Sequence, residues 1–391
     1  LQEINNAPVV KLINSLLKQA VMIKASDIHI EPFENIVRVR MRVDGDLQET
    51  MQLSKSVHSA VITRIKIMGK MNIAEKRLPQ DGRVEMRVEG KEVDLRLSVL
   101  PTVHGEKMVI RLLDRSSFLL SKSQLGFLDK NLEKFNRILQ VPNGIVLVTG
   151  PTGSGKSTTL YASLYELNQI KKNIITVEDP VEYQLAGINQ VQVNNKAGLT
   201  FATSLRSILR QDPDIIMIGE MRDTETAQIA VRAAITGHLV LSTIHTNDTA
   251  STITRLIDMG LEPYLVSSSV SGIVAQRLVK KICTHCKTEW MLEEKEKKQL
   301  GLNPSEPVVL FRGRGCNVCN QTGYKGRIAI HEVMEMTKEI RHLVDSKSSI
   351  EKIREKAIEQ GMIPLQENCK QLVFQGITTI EEMTRVTWDF E

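Results

Sequence analysis

A short stretch near the middle of the chain has the glycines, lysine and serine of a phosphate-binding loop. Residues 150–157 fit the pattern G-x-x-x-x-G-K-[ST]. The glycines let the backbone curl so that successive N–H groups face phosphate oxygens. In this pattern Lys156 reaches the β- and γ-phosphates of ATP, and Ser157 is a ligand of Mg²⁺. The predicted nucleotide-binding residues are Gly150, Pro151, Thr152, Gly153, Ser154, Gly155, Lys156, Ser157 and Thr158.

The residues on both sides of this loop distinguish a phosphate site from a chance glycine-rich turn. An apolar run at 145–148 predicts a buried strand before the loop, and Ser157 lies at the start of a predicted helix. The N-terminus of a helix attracts anions because its first N–H groups have no partner within the helix. Motif and context therefore agree, which favours the phosphate site.

Polar side chains follow other apolar runs of the same half of the chain. They are Glu182 after residues 174–177, Glu220 after residues 215–218, and His245 after the run that begins at Leu239. In open α/β sheets, ligands bind at the carboxyl ends of the strands. We therefore expect these three side chains to gather near Lys156.

Hydrolysis of a phosphoanhydride needs a carboxylate that positions or deprotonates water beside the γ-phosphate. Glu182 and Glu220 are the candidates. Gly219 stands where an acid usually follows this kind of strand, so we expect any contact of Glu220 with Mg²⁺ to run through water. The alternative for either acid is a helix cap or a solvated loop charge.

Two Cys-x-x-Cys pairs have the residue type and grouping of a zinc site. They are Cys283 with Cys286 and Cys316 with Cys319. Four thiolates suit tetrahedral Zn²⁺, and a charged, helix-like segment at Glu293–Gln299 can fill the gap between the pairs. Redox pairs or unpaired cysteines are the alternative. Cys369 has no partner in the sequence and is interpreted as a core or surface thiol.

Hydrophobic patterning divides the chain into two domains and a linker. Residues 1–115 combine two helical patterns with period-two alternation, in which Val37, Val39 and Met41 share one face. This predicts a small α+β domain with a mainly antiparallel sheet. The serine-rich residues 116–123 are the predicted linker.

Residues 124–391 have a different pattern, of short unbroken apolar runs between helices. Such runs imply a parallel sheet covered by helices on both faces, so the fold class is α/β. The cysteine insert interrupts the pattern at 282–327, and we expect only helices after it.

Composition excludes some classes of protein. The chain is 41% hydrophobic and 25% charged, as in ordinary soluble proteins. Aromatic residues make up only 4% and the net charge is +5, which argues against stacking on single-stranded nucleic acid and against a basic DNA-binding face. The sequence has no apolar run near the roughly 20 residues that span a bilayer and no signal peptide. Because it begins with Leu1, we interpret it as a fragment of a longer protein.

Six segments together resemble the secretion ATPase superfamily, in its branch of type IV pilus assembly and type II secretion ATPases. Four are similar to the family's Walker A, Asp-box, Walker B and His-box motifs, and two to its second N-terminal domain. They are residues 150–158, 176–182, 210–223 and 237–247, and residues 26–32 and 77–83. The resemblance implies a small PAS-like α+β domain followed by a RecA-like P-loop ATPase domain with a zinc-binding insert.

The resemblance also implies roles for particular residues. Glu182 matches the catalytic acid of the family, Glu220 its Walker B glutamate, and His245 lies in the His box. ATP is expected between the two domains, with arginines from both completing the site. The matching arginines are Arg96, Arg111, Arg206 and Arg210. Guanidinium groups stabilise developing phosphoryl charge, although arginines on a sheet face are usually solvated.

The resemblance also implies a homo-hexameric cytoplasmic motor. Such a motor is peripheral at the inner membrane and acts on an inner-membrane platform protein. The cysteine insert favours the assembly branch over retraction ATPases. Pilus assembly is the leading hypothesis, and type II secretion is the alternative. A DNA-handling RecA-like ATPase is a third and weaker hypothesis, and a filter-binding assay with DNA would test it. We expect no nucleic acid partner. A nucleotide-switched binding module would differ from a motor in its low phosphate release.

Overall fold

The computed structural model describes residues 8–114, 120–303 and 305–387. The chain forms two compact units, Leu1–Phe118 and Leu119–Glu391. Of the predicted linker, residues 116–119 lie outside the described residues. In the described ranges, we find no helix that combines the length and the apolar character needed to cross a membrane.

The N-terminal unit is built on a six-stranded antiparallel sheet, as predicted from its alternating pattern. The strands run in the order β3-β2-β1-β6-β5-β4, and two helices pack on the apolar face. The strands are β1 Asp27–Pro32, β2 Ile36–Val43, β3 Asp46–Ser54, β4 Gln80–Val88, β5 Lys91–Thr102 and β6 Gly105–Asp114, and the helices are α1 Pro8–Met22 and α2 His58–Met68.

Alternation along β2 shows why this sheet has one apolar face. Val37, Val39 and Met41 are fully buried against the helices, while the arginines between them point to the other face. Strand β3 was not predicted, because its register with β2 shifts after Val39 and its polar residues do not alternate regularly. A bulge of this kind breaks the period that identifies a strand in a sequence.

The C-terminal unit is built on a seven-stranded sheet in the order β15-β12-β7-β11-β10-β8-β9. Its strands are β7 Gly144–Thr149, β8 Ile174–Glu178, β9 Asn189–Gln192, β10 Ile215–Ile218, β11 Leu239–Ile244, β12 Val270–Ile282 and β15 Tyr324–Glu335. Each strand from β12 to β9 pairs in parallel with its neighbours, whereas β15 runs antiparallel to β12. The four central strands, β7, β8, β10 and β11, are buried along their whole length, as their unbroken apolar runs predicted.

Helices cover this sheet. They are α3 Asp129–Leu139, α4 Lys156–Leu167, α5 Phe201–Ile208, α6 Thr224–Ile235, α7 Thr249–Asp258, α8 Pro263–Ser269, α10 Lys338–Asp345, α11 Ile350–Glu359, α12 Leu365–Phe374 and α13 Ile380–Thr387. Separate apolar clusters lie on the two faces, one around Ile216 and Val240 and the other around Val146 and Leu241. Neighbouring residues of one strand point to opposite faces, so each central strand contributes to both clusters.

The expectation that only helices follow the cysteine insert is wrong. Strand β15 comes first, and it returns beside β12 along ten paired positions. Its first half is polar, whereas Ile330 and Val333 in its second half are buried. Because His331 and Glu332 interrupt its buried half, the strand lacks the unbroken apolar run by which the other core strands were recognised.

The insert between β12 and β15 is a small separate layer. Strands β13 Lys287–Met291 and β14 Val309–Gly313 form a two-stranded antiparallel sheet. The predicted charged helix is present as α9 Glu294–Gln299. Both Cys-x-x-Cys pairs lie where this layer joins the main sheet, directly after β12 and directly before β15.

A fully buried histidine makes the stability of the C-terminal unit dependent on pH. The ring of His331 stacks on Phe127 with centroids 3.5 Å apart, and neither ring nitrogen has a hydrogen-bond partner among the described residues. Burial lowers the pKa of His331 to about 3. Below the ordinary pKa of about 6.5, the unfolded chain therefore takes up a proton that the folded chain does not, so stability is lost as the pH falls.

We expect the unfolding free energy of His331→Phe to depend less on pH than that of the parent. The difference between pH 7.5 and pH 5 should shrink by about 2 kcal/mol, because each pH unit below 6.5 costs up to about 1.4 kcal/mol. Urea unfolding followed by the fluorescence of Trp290, which lies in this unit, measures it. His342→Gln, at an exposed site, is the control. An unchanged pH dependence in His331→Phe would be evidence against His331 as a source of the pH-dependent stability.

Candidate active site

The phosphate loop connects β7 to α4 in the geometry that its sequence predicted. Gly150, Gly153 and Gly155 have φ values of 146°, 80° and 89°. Residues with a side chain rarely adopt such positive φ values. Space is also limiting, because a Cβ on Gly150 would lie 2.3 Å from the backbone oxygen of Gln276. Helix α4 begins at Lys156, so its free N–H groups face the hollow of the loop.

Lys156 is held over the loop. Its Nζ donates to the backbone oxygens of Gly150 at 2.8 Å and Pro151 at 3.0 Å. Burial lowers the pKa of Lys156 to about 8, against the opposing effect of the carboxylate of Glu220. A nearby anion favours the charged form of a lysine. The triphosphate of a nucleotide would therefore keep this ammonium group protonated.

Three of the predicted residues come together at the ends of neighbouring strands. His245 Nδ1 lies 3.5 Å from Lys156 Nζ, and His245 Nε2 lies 3.5 Å from Glu220 Oε2. Glu220 Oε1 forms an ion pair with Arg222, which the sequence did not single out. Strands β7, β11 and β10 are adjacent and parallel, so their carboxyl ends share one edge of the sheet. Lys156, His245 and Glu220 therefore form a continuous polar row.

Glu182 is positioned by a different set of contacts. Its backbone N–H donates to the hydroxyl of Tyr161 at 3.3 Å, and that hydroxyl donates to the buried carboxylate of Glu178. Burial raises the pKa of Glu178, despite hydrogen bonds from Thr176, Tyr161 and Gln190. Tyr161 lies on α4, so the helix that begins at the phosphate loop also braces the segment that carries Glu182.

A cavity of about 640 Å³ opens beside the phosphate loop. It is bordered by the first two loop residues, by the segment after β11, and by the first turns of α7 and α11. The lining residues are Gly150, Pro151, His245, Thr246, Asn247, Asp248, Ser251, Ile350, Glu351 and Arg354. The site is therefore accessible on the side where His245 meets Lys156.

The predicted arginines lie in both units. In the N-terminal unit, Arg96 on β5 is the cross-strand partner of Arg111 on β6, and Arg111 pairs with Asp27 at 3.0 Å. In the C-terminal unit, Arg206 pairs with Glu225, and Arg210 donates to the backbone oxygen of Arg206 at 2.8 Å. Their role toward nucleotide stays a prediction.

The four cysteines of the insert converge on one point. All four sulfur atoms lie within 4.8 Å of one another. The Sγ–Sγ distance is 3.9 Å for Cys283 and Cys316, 3.8 Å for Cys286 and Cys319, and 3.7 Å for Cys316 and Cys319. Zinc bound tetrahedrally at about 2.3 Å from each sulfur requires about 3.8 Å between sulfurs. The donor set and its spacing therefore fit Zn²⁺.

Backbone donors around the cluster favour the thiolate form of Cys319. The N–H groups of Cys316 and Gly323 donate to the Sγ of Cys319 at 3.2 and 3.3 Å. Burial alone would raise the pKa of Cys319, but these donors bring it down to about 6. The fifth cysteine, Cys369, is buried in the core away from this cluster, and burial raises its pKa to about 12. With Zn²⁺ bound, the four thiolates would fix the base of the insert.

The fold and the loop together define the class of the protein, which is a P-loop ATPase with a mostly parallel sheet. A family model described as "Type II/IV secretion system protein" matches residues 2–385. The chain therefore belongs to this family of secretion ATPases.

Curated relatives cover nearly the whole chain. The "Type II secretion system ATPase E" of Vibrio cholerae is 48% identical over 99% of this chain and 77% of its own length. The "Type II secretion system protein HxcR" of Pseudomonas aeruginosa is 52% identical over 98% of this chain and 78% of its own. The "Type IV pilus assembly ATPase PilB" of Thermus thermophilus is 50% identical over 97% of this chain, which corresponds to 43% of that protein.

Solved structures support the same fold. The pilus retraction motor PilT with bound ADP is 27% identical, with a TM-score of 0.64 over 96% of both chains. The Legionella pneumophila ATPase DotB has a TM-score of 0.71 over 97% of this chain and 95% of that chain. At 21% identity, DotB supports the fold alone.

Some site residues were missed in the sequence. Gln276 on β12 is buried and contacts the phosphate loop, and Tyr161 on α4 positions the segment of Glu182. A signal existed for Gln276, since an amide directly follows the apolar run Ile273–Ala275. None existed for Tyr161, because an aromatic residue on a helix is ordinarily a core residue.

Proposed function

We propose that the chain is the ATP-hydrolysing motor of a pilin-assembling machine. The observation that carries the proposal is the row of Lys156, His245 and Glu220 beside the phosphate loop. Such a row can bind the phosphates and respond to the presence of the γ-phosphate. Six copies in a ring, acting on an inner-membrane platform protein at the cytoplasmic face, would convert that response into movement.

Within this mechanism each polar residue has a separate task. Lys156 holds the β- and γ-phosphates, and Ser157 with Glu220 would hold Mg²⁺, Glu220 through water. The metal would neutralise phosphate charge. Glu182 is the base that orients the attacking water. Of the predicted arginines, Arg206 and Arg210 would stabilise the charge that develops on the phosphoryl group.

Type II secretion is the setting that we propose, with type IV pilus assembly as the second candidate. Relatives named for type II secretion align over most of their own length. Pilus assembly was favoured from the sequence, and the PilB relative at 50% identity supports it over 43% of that protein. Deleting the gene in its own strain tests both. Loss of exoprotein secretion with normal pili supports type II secretion, and the reverse result supports pilus assembly.

Hydrolysis itself is tested by steady-state phosphate release. We expect specific activity to rise with protein concentration as rings assemble. Glu182→Gln and Glu220→Gln should retain ATP binding but release phosphate at least about a hundredfold more slowly, because each removes a carboxylate needed in the transition state. Glu355→Gln, an exposed change on α11, is the control. Activity independent of concentration, with both variants unimpaired, would refute the motor hypothesis.

A further inference from the structure

We propose that Gln276 is a positioning residue for the phosphate loop. This inference deepens the proposed function, since it concerns how the same site binds nucleotide. Gln276 lies on β12 beside β7, where its neighbour Ala275 pairs with Thr149 at the end of β7. The side chain is only 2% exposed. It lies in the buried middle of the strand, where an amide is costly unless both of its ends are hydrogen-bonded.

Both ends of the Gln276 amide are used, and both contacts are to the loop or to its helix. Nε2 donates to the backbone oxygen of Ser154 at 2.8 Å. Oε1 accepts from the hydroxyl of Thr159, in the first turn of α4, at 2.6 Å. Because the threonine hydroxyl donates to Oε1, the amide is oriented with its NH₂ group toward the loop.

The contact with Ser154 determines where the next N–H group points. In a trans peptide the C=O and the following N–H lie on opposite sides of the chain. Holding the oxygen of Ser154 toward Gln276 therefore turns the N–H of Gly155 away from β12, into the hollow of the loop. That N–H is one of the donors that the motif supplies to phosphate.

The phosphate loop packs tightly against β12. A Cβ on Gly155 would lie 2.8 Å from Nε2 of Gln276, and one on Gly150 would lie 2.3 Å from its backbone oxygen. The two glycines thus allow the loop to rest directly on this residue. Gln276 fixes the phosphate-binding conformation before nucleotide arrives, which lowers the conformational cost of binding.

The experiment measures the dissociation constants of a fluorescent ATP analogue and of ADP, together with kcat, KM and the melting temperature without nucleotide. Gln276→Met keeps the shape and removes both hydrogen bonds. We expect its dissociation constants to rise about tenfold or more, with a larger change in KM than in kcat. Thr159→Val should have a smaller effect, and the double variant should bind no more weakly than Gln276→Met. Gln375→Met, at an exposed position after α12, is the matched control.

A pH profile adds a readout that a purely structural role would not change. In Gln276→Glu, burial raises the carboxyl pKa, and the protonated acid can donate to the oxygen of Ser154 as the amide did. Lys156 gains its proton in the same pH range, so affinity of the parent should also rise as the pH is lowered from 8.5 to 6.5. The rise in Gln276→Glu should be clearly larger than the rise in the parent.

Two outcomes overturn the inference. Either Gln276→Met binds nucleotide like the parent, or its loss of binding matches its loss of folded protein while Gln276→Glu gains no more affinity at low pH than the parent does. A parent that binds no nucleotide would instead refute the proposed function, so the two failures are distinguishable.

Discussion

Lys156→Ala is expected to abolish ATP turnover, with a loss on the order of a hundredfold to a thousandfold in kcat. The ammonium is the cation held over the loop, and removing one preorganised charge from a site of phosphoryl transfer has effects of this size. Burial has already lowered its pKa to about 8. Desolvation of a lysine in this position is consistent with a site that binds an anion.

Phosphate release at saturating ATP is the measurement, and equilibrium binding of an ATP analogue shows whether binding is lost as well. Lys171→Ala is the matched control, because Lys171 is exposed beyond the end of α4 and far from the loop in sequence. We expect the control to match the parent in both assays. If Lys156→Ala hydrolysed ATP at the parental rate, the phosphate site would be misassigned.

Cys319→Ser is expected to remove one bound Zn²⁺ per chain and to lower the melting temperature of the C-terminal unit by roughly 5–10 °C. The sulfur separations match tetrahedral zinc, so losing one ligand opens the site. The cluster closes the ends of β12 and β15, and these strands form one side of the main sheet. The structural consequence should therefore extend beyond the insert.

Elemental analysis of protein purified without chelator gives the zinc stoichiometry, and thermal unfolding gives the stability. Cys369→Ala is the control for the metal, because Cys369 is buried in the core apart from the cluster. It should retain zinc even though it loses packing. A parental protein without stoichiometric zinc, or a Cys319→Ser variant that keeps it, would exclude the predicted metal centre.

One strand contacts both predicted sites. Gln276 in the middle of β12 contacts the phosphate loop, and Cys283 follows directly after the end of the same strand. Arg277, next to Gln276, donates to Asn247 in the segment after β11 at 3.3 Å. The edge of the sheet that carries the insert therefore also supports the nucleotide-binding edge.

The sequence by itself determined the parts whose chemistry is local. A phosphate loop needs consecutive glycines, a lysine and a serine, so residues 150–157 identify it without any fold. The two Cys-x-x-Cys pairs are equally local signals, and the structure brings their sulfurs together. Unbroken apolar runs predicted the central parallel strands because a strand buried on both faces can contain little else. The prediction that His245 and Glu220 lie near Lys156 followed from these strands, because the carboxyl ends of parallel strands lie at one edge of the sheet.

Only the tertiary structure decided the contacts between residues distant in the sequence. Gln276 meets Ser154 because β12 pairs with β7, and nothing in either segment encodes that pairing. Strand β15 was missed because its half near the insert is polar and its buried half beside β12 is interrupted by His331 and Glu332. Tyr161 appeared to be an ordinary core residue until α4 brought it to Glu178. In each case the interaction joins segments that are distant in the sequence. Whether such segments meet depends on the order of the strands in the sheet, and a local sequence pattern does not contain that order.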